Sequence, residues 1–298
     1  MSARATHLSI RQPIPQLRSS ASPPVRPVRA RQAVAVGDIT DRTSHSPAML
    51  PPARDDIPVV AVAHGTTHLS GLTTLDAIMD RVRFLRPGLR TSLSFVSAAD
   101  PRPAEALAEL AGAGEKEAVV LPLFLSSGYH VRHDIAEAVR GVEGRAFRVH
   151  TARPLGPDPM LAHALTDRLA AVAGRVFGTE VVLAAAGSND RRANADVVVM
   201  AGLLAERLGM PVRSAFLSGT EPTVESVLTR LSRRGRPVAV ASYLLAEGGY
   251  SQRLGDIAAL AGLEPESTRT PRVAAPLGSH ELVARLLVRR YDQALYSA

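Results

Sequence analysis

The sequence predicts an α/β protein built from two tandem copies of one unit, each a four-stranded parallel sheet flanked by helices. Three observations carry this expectation. From Ile57 onward short β-branched runs alternate with longer amphipathic stretches, the pattern of strand-helix units feeding a parallel sheet. The residues of the first copy recur in the second after a step of 122. Each copy is about 120 residues long, enough for a doubly wound domain.

In chain order, residues 1–56 come first and belong to neither copy. They hold eight of the 22 prolines, many Ser and Arg, and no sustained periodicity. Such a composition buries too little apolar surface to offset the entropy of ordering, so a disordered tail is expected, and His7 and His45 belong to it. Residues 1–37 carry six Arg and no acid, as an organelle-targeting segment would, whereas the Arg and Ala bias of the whole chain has a bacterial character. Met49 is an alternative start.

The first copy is expected to place strands at 58–63, 91–96, 118–123 and 147–150. Helices are expected at 71–86, 102–113, 131–141 and 158–173, stretches rich in Ala, Leu, Arg and Glu with apolar residues at helical spacing. The pattern then restarts. Residues 180–185 (EVVLAA) match 59–63, Gly187 matches Gly65, Asp134-Ile135 fall on Asp256-Ile257, and Pro154-Leu155-Gly156 fall on Pro276-Leu277-Gly278. The expected domains are 57–176 and 177–298, meeting near 174–179.

Composition narrows the function. At 298 residues and 46% apolar content the chain can bury a sizeable core. No stretch approaches the roughly 18 to 20 apolar residues of a membrane-spanning helix, and the start lacks the apolar core of a secretory signal, so a cytoplasmic protein without a membrane partner is expected. Cysteine is absent, which removes disulfides, thiolate metal sites and cysteine nucleophiles and leaves His, Asp and Glu for any metal. The net charge of +7 does not point to nucleic acid. Residues 1–56 supply +4 of it, from eight Arg against four Asp, and aromatic residues are only 4%, too few for a base-stacking surface.

Two loops carry the chemistry. His64-Gly65-Thr66 follows directly on the apolar run 59–63, which puts His64 at the carboxyl end of the first strand. Residues 123–134 (LFLSSGYHVRHD) follow the third strand and bring Gly128 and His130 to that strand's carboxyl end. In open α/β sheets ligands bind beyond these ends, where the strand order reverses, and in a 2-1-3-4 order that point lies between strands one and three. Both histidines then face one crevice. Neutral imidazole suits Fe, Co, Ni and Zn, and two histidines leave coordination positions open for water or a substrate nitrogen.

His-Gly-Thr after strand one, together with Pro-Leu-Phe-Leu-Ser-Ser-Gly-Tyr-His-Val-Arg-His-Asp-Ile after strand three, resembles the sirohydrochlorin chelatases of the CbiX and SirB type, the class II chelatases. The family pattern Gly-x-His-x-x-x-Asp-Ile is met at Gly128, His130, Asp134 and Ile135. The resemblance spans about residues 57 to 295. It implies two chelatase-like, flavodoxin-like domains, as in the long bacterial form in which two short units are fused. It also implies insertion of a divalent metal, Fe2+ or Co2+ with Ni2+ as a third candidate, into sirohydrochlorin for sirohaem or cobalamin synthesis, with no organic cofactor. On this reading His64 and His130 hold the metal and accept the pyrrole protons. Gly65, Thr66, Ser126, Ser127, Gly128 and Arg132 are the expected contacts of the macrocycle and its carboxylates.

The chain departs from the family in two places. Thr66-Thr67-His68 stands where members of the family often have Ser-Arg-Asp. In the second copy Ala186 replaces the leading histidine, and Ser251 replaces the second if one residue is inserted before Asp256. One metal site is therefore expected, made by the first copy and roofed by the second, in a monomer that is its own pseudo-dimer. The other histidines have structural roles to fill: His68 precedes a helix start, His133 is a surface or capping residue, and His163 and His280 are structural. Asp134 caps a helix, and Glu247 could reach the crevice from the second copy. A metal carrier that binds with the same histidines and inserts nothing is the rival reading.

Overall fold

The protein is described here by a computed structural model covering residues 57–142, 144, 146–174, 178–263 and 270–296. The expected tail at 1–56 lies outside the described residues, and so do 175–177 within the expected junction. The first half runs β1 (Val59–Ala63), α1 (Leu69–Leu85), β2 (Thr91–Phe95), α2 (Pro103–Gly112), β3 (Glu117–Pro122), the short α3 (Tyr129–Arg132), α4 (Asp134–Val142), β4 (Arg148–Thr151) and α5 (Pro159–Ala173). The second half repeats it as β5 (Glu180–Ala185), α6 (Arg191–Leu208), β6 (Val212–Phe216), α7 (Val224–Ser232), β7 (Val238–Tyr243), α8 (Gly249–Gly262), β8 (Arg272–Val273) and α9 (Glu281–Tyr296).

Each half forms a four-stranded sheet, ordered β2-β1-β3-β4 and β6-β5-β7-β8, with every pair parallel. This is the expected 2-1-3-4 order, twice. The central strands are apolar on both faces because helices cover both. Along β1, Val59, Ala61 and Ala63 face one core while Val60 and Val62 face another. β5 alternates in the same way, with Val181, Leu183 and Ala185 against Val182 and Ala184. Helix starts follow local capping: Asp158 accepts the Met160 N–H at 2.9 Å just before Pro159, and Asp190 accepts the Arg192 N–H at 3.0 Å. The helix expected at 131–141 is split at His133, whose ring stacks on Tyr129 at 4.3 Å between centroids.

The halves exchange their last helices. α5, at the end of the first half, packs on α6, β7 and β8 of the second, and α9 returns to pack on α1, β3 and β4 of the first. The expected boundary near 174–179 thus divides the sequence repeat, whereas each sheet is closed by a helix from the other half. Polar locks sit at the crossings. The Tyr291 hydroxyl on α9 donates to the Ile57 carbonyl at 3.1 Å, at the entry to β1. Arg290 is buried and donates to the carbonyls of Pro154 and Leu155 and to Asp158 at 3.0 Å, with Arg289 on the same carboxylate. One core consequently contains side chains of α1, α5, α6 and α9 between the two sheets, while α2 and α4 cover the outside of the first and α7 and α8 the outside of the second. Among the described residues no helix is long and apolar enough to cross a membrane.

Candidate functional site

The carboxyl end of β1 is held by a backbone brace. The His64 carbonyl accepts both the N–H and the hydroxyl of Ser97, at 2.9 and 3.0 Å. Gly65 follows with φ +96, and a Cβ there would lie 1.8 Å from the Ser97 carbonyl oxygen, so only glycine fits the turn. His64 is exposed and faces the cleft between the halves. The second half keeps this brace without the imidazole. The Ala186 carbonyl accepts the Ser218 N–H and hydroxyl, both at 2.9 Å, and Gly187 has φ +84 with the Ser218 carbonyl 1.9 Å from an added Cβ. The backbone of the turn is retained, while the imidazole at its head is replaced by a methyl group.

The loop after β3 leads into α3, where His130 is the second helical residue. Strand register sets Leu123 level with Tyr243, so His130, the second residue of α3, falls level with Tyr250, the second residue of α8, and one residue before the expected Ser251. Ser251 turns back on its own loop: its hydroxyl accepts the Gly248 N–H and lies 2.8 Å from the Glu247 carboxylate. Glu247 is exposed and engaged there.

Between the carboxyl ends of the two sheets lies a cleft of about 420 Å³. Its walls are mostly apolar, from Leu123, Leu125 and Val131 on one side and Ala193, Val197 and Leu244 on the other. Its polar groups are few: His64 and Ser126 from the first half, Ser188 and Asn194 from the second. Tyr129 and Tyr250 line it from equivalent loops, both more than 40% exposed. A flat, apolar ring with a polar rim suits such walls better than a small polar metabolite does.

The expected contacts divide into three groups. Ser126 and Gly128 line the cleft. Gly65 and Thr66 shape the turn, the Thr66 hydroxyl accepting the His68 N–H at 3.1 Å. Ser127 and Arg132 are engaged by the second half, Ser127 donating its N–H to Asp196 at 2.8 Å and Arg132 pairing with Asp190. Elsewhere, His68 begins α1 with its Nε2 close to Gly249, and Asp134 opens α4. His163 and His280 share Asp167, at 3.9 and 3.3 Å. Burial, then Arg168, holds the His280 pKa below the usual histidine value. Among the described residues, which exclude the His130 side chain, no three of His, Asp and Glu are grouped to hold a metal ion.

The tyrosines and Asn194 were not singled out by sequence reasoning. The signal was present for the pair, because Gly-Tyr recurs at Gly128-Tyr129 and Gly249-Tyr250.

Known proteins match this arrangement. The sequence model of one family, CbiX, matches the chain twice, at residues 58–172 and 180–294. The sirohydrochlorin ferrochelatase of Bacillus subtilis is 28% identical over 162 residues, which cover 52% of this chain and 61% of that relative. The sirohydrochlorin cobaltochelatase of Methanothermobacter thermautotrophicus is 29% identical over 130 residues, 38% of this chain but 90% of that relative, so nearly a whole short relative corresponds to little more than a third of this chain. The solved structure of SirB from Bacillus subtilis with Fe3+ superposes with a TM-score of 0.72 at 22% identity, covering 80% of this chain and 96% of that one.

Proposed function

This chain belongs to the CbiX family, whose sequence model covers most of the described residues in two copies, and on that premise we propose that it is a sirohydrochlorin chelatase, a lyase that inserts Fe2+ or Co2+ into the macrocycle. The observation that carries the reading is the broken symmetry of the two strand-end turns. The same serine-braced Gly turn occurs in both halves, yet His64 stands on one and Ala186 on the other.

Residues 57–176 form the metal-binding half and 177–298 the degenerate one, in a monomer that acts in the cytoplasm. His64 and His130, at the ends of the two strands that flank the switch point, hold the ion. The ring lies in the cleft with its apolar faces toward the leucine-rich walls and Tyr129 and Tyr250, and Ser126, Gly128 and Asn194 meet its carboxylates. As the ion passes from imidazole to the four ring nitrogens, two pyrrole N–H protons leave, so a dication is exchanged for two protons. An imidazole released from the metal is a base of the right strength to accept them at neutral pH.

Mixing the protein, Co2+ and sirohydrochlorin should change the tetrapyrrole absorbance far faster than metal and ring alone. His64→Ala and His130→Ala should each slow insertion by about a hundredfold or more, the worth of a positioned base or ligand, with an unchanged melting temperature. Near-normal turnover in either variant removes the site assignment. Tight Co2+ binding with no acceleration by the wild type makes the protein a metal carrier instead.

A further inference from the structure

The loop that carries His130 is held from the other half of the molecule at three points. At its start, the Tyr243 hydroxyl at the end of β7 donates to the Leu125 carbonyl at 2.8 Å. Next, the Ser127 N–H donates to the Asp196 carboxylate on α6, also at 2.8 Å. Beyond His130, the Arg132 guanidinium pairs with Asp190, the residue that caps α6. His130 is therefore bracketed by contacts that its own half does not make.

Each holding group is itself fixed. Tyr243 is 2% exposed, and burial, with Asp196 and Asp158 nearby, pushes its phenol well above the usual range, so it stays protonated and donates. Asp190 gives one oxygen to the Arg192 N–H and the other to Arg132, while its own N–H donates to the Ser188 hydroxyl. Asn194 closes that turn, accepting the Ser188 N–H at 3.0 Å and donating to the Ser188 carbonyl at 2.7 Å. α6 is buried along Val197, Met200, Ala201 and Leu204, so Asp190 and Asp196 project from a rigid body.

The reciprocal contact is not built this way. By strand register and helix start, the first-half counterparts of Tyr243, Asp196 and Asp190 are Leu123, Thr74 and His68. Leucine has no side-chain donor, and the Thr74 hydroxyl is spent on the Ser70 carbonyl of its own helix. The second-half loop is instead tied by its own Ser251 and meets α1 through close packing at Gly71, where an added Cβ would lie 2.7 Å from the Glu247 carbonyl oxygen. Duplication alone would have made the two contacts alike. Among the described residues, the anchors from Tyr243, Asp196 and Asp190 fall on the loop with the histidine.

We infer that Tyr243, Asp196 and Asp190 are positioning residues for metal binding, and that the second half, without ligands of its own, acts as the template on which the His130 loop is set. The inference rests on the reading of His130 as a ligand. Metal-site partners of this outer kind set ligand orientation, and losing one costs about 10- to 100-fold in metal affinity.

The test uses the full chain, titrated calorimetrically with Co2+, together with the d–d absorption spectrum of the bound ion. Asp196→Ala and Tyr243→Phe should each weaken Co2+ binding about tenfold and shift the d–d bands. Asp196→Asn keeps an oxygen acceptor for the Ser127 N–H and should recover most of the affinity. The spectrum separates positioning from a general loss of stability, because a merely destabilised fold keeps the wild-type bands in its folded fraction. His130→Ala is run beside them. If it leaves affinity and spectrum unchanged, the ligand reading itself fails. If it abolishes binding while Asp196→Ala and Tyr243→Phe keep wild-type affinity and bands, the positioning role is overturned. Should Asp196→Ala not fold, Tyr243→Phe decides, since it keeps the buried ring and removes only the donor.

Discussion

Gly156 stands where the exchanged halves meet, and replacing it with alanine tests that meeting quantitatively. A Cβ at Gly156 would lie 2.0 Å from the Tyr243 hydroxyl oxygen and 2.3 Å from the Leu125 carbonyl oxygen, the two atoms of one hydrogen bond. Neither can yield cheaply. The tyrosine is buried, and the carbonyl belongs to the backbone at the start of the His130 loop. Overpacking costs about 1–3 kcal/mol, and the lost hydrogen bond about 1 kcal/mol, so Gly156→Ala should destabilise the protein by about 2–4 kcal/mol. Gly202 is the control: it lies mid-helix in α6 with open space around an added Cβ, and the same substitution there should stabilise by about 0.5–1 kcal/mol. Urea denaturation followed by far-UV circular dichroism measures both. Gly156→Ala within 0.5 kcal/mol of wild type would refute the packing described for the two halves.

Two further outcomes follow from the crossings of α5 and α9. His280 accepts the Leu282 N–H at Nδ1, at 3.2 Å, and its pKa is held below the unperturbed 6.5, so the folded state resists its protonation. This cap should contribute fully above pH 6.5 and fade as pH falls through the lowered folded value; a His280→Asn variant, which caps without titrating, should lose less stability over that fall, and parallel stability curves would contradict this. Arg290→Met should cost about 3 kcal/mol or more, because it strips a buried partner from Asp158 and leaves the Pro154 and Leu155 carbonyls without that donor. A loss under 1 kcal/mol in the same denaturation experiment would show that this lock is not where α9 is held.

Most of the fold was legible because its signals are local. The β-branched runs at 59–63 and 180–185 each fill a buried central strand, and the repeat between them announces the second sheet. The helix exchange was not legible for a physical reason: duplication leaves both sheets with the same apolar inner face, so α5 and α9 could each cover either one on pattern alone. What decides it are contacts distant in sequence, such as Tyr291 with Ile57 and Arg168 with the Leu277 carbonyl. The split of the expected 131–141 helix at His133 lies within the few residues by which helix ends are always poorly defined by pattern.

In the candidate site, His64 and Ala186 could be compared directly, because side-chain identity at a strand end is written in the sequence. The anchors could not. Asp196 and Tyr243 bond to backbone groups of the other half, and a backbone N–H or carbonyl leaves no mark on residue type. Asp190 carries a capping signature that accounts for it locally, which concealed its second partner, Arg132. Arg132, expected to meet substrate carboxylates, pairs with Asp190, a contact that sequence spacing cannot reveal.

Whether one half holds the metal and the other lends only its frame is tested most directly by the stoichiometry of metal binding. Calorimetric titration of the full chain with Co2+ should give one tight site per molecule, lost in His64→Ala and intact in Ser188→Ala, whose hydroxyl is a poor ligand beside imidazole. Two equivalent tight sites per chain, or one site that survives His64→Ala, would contradict this division between the halves.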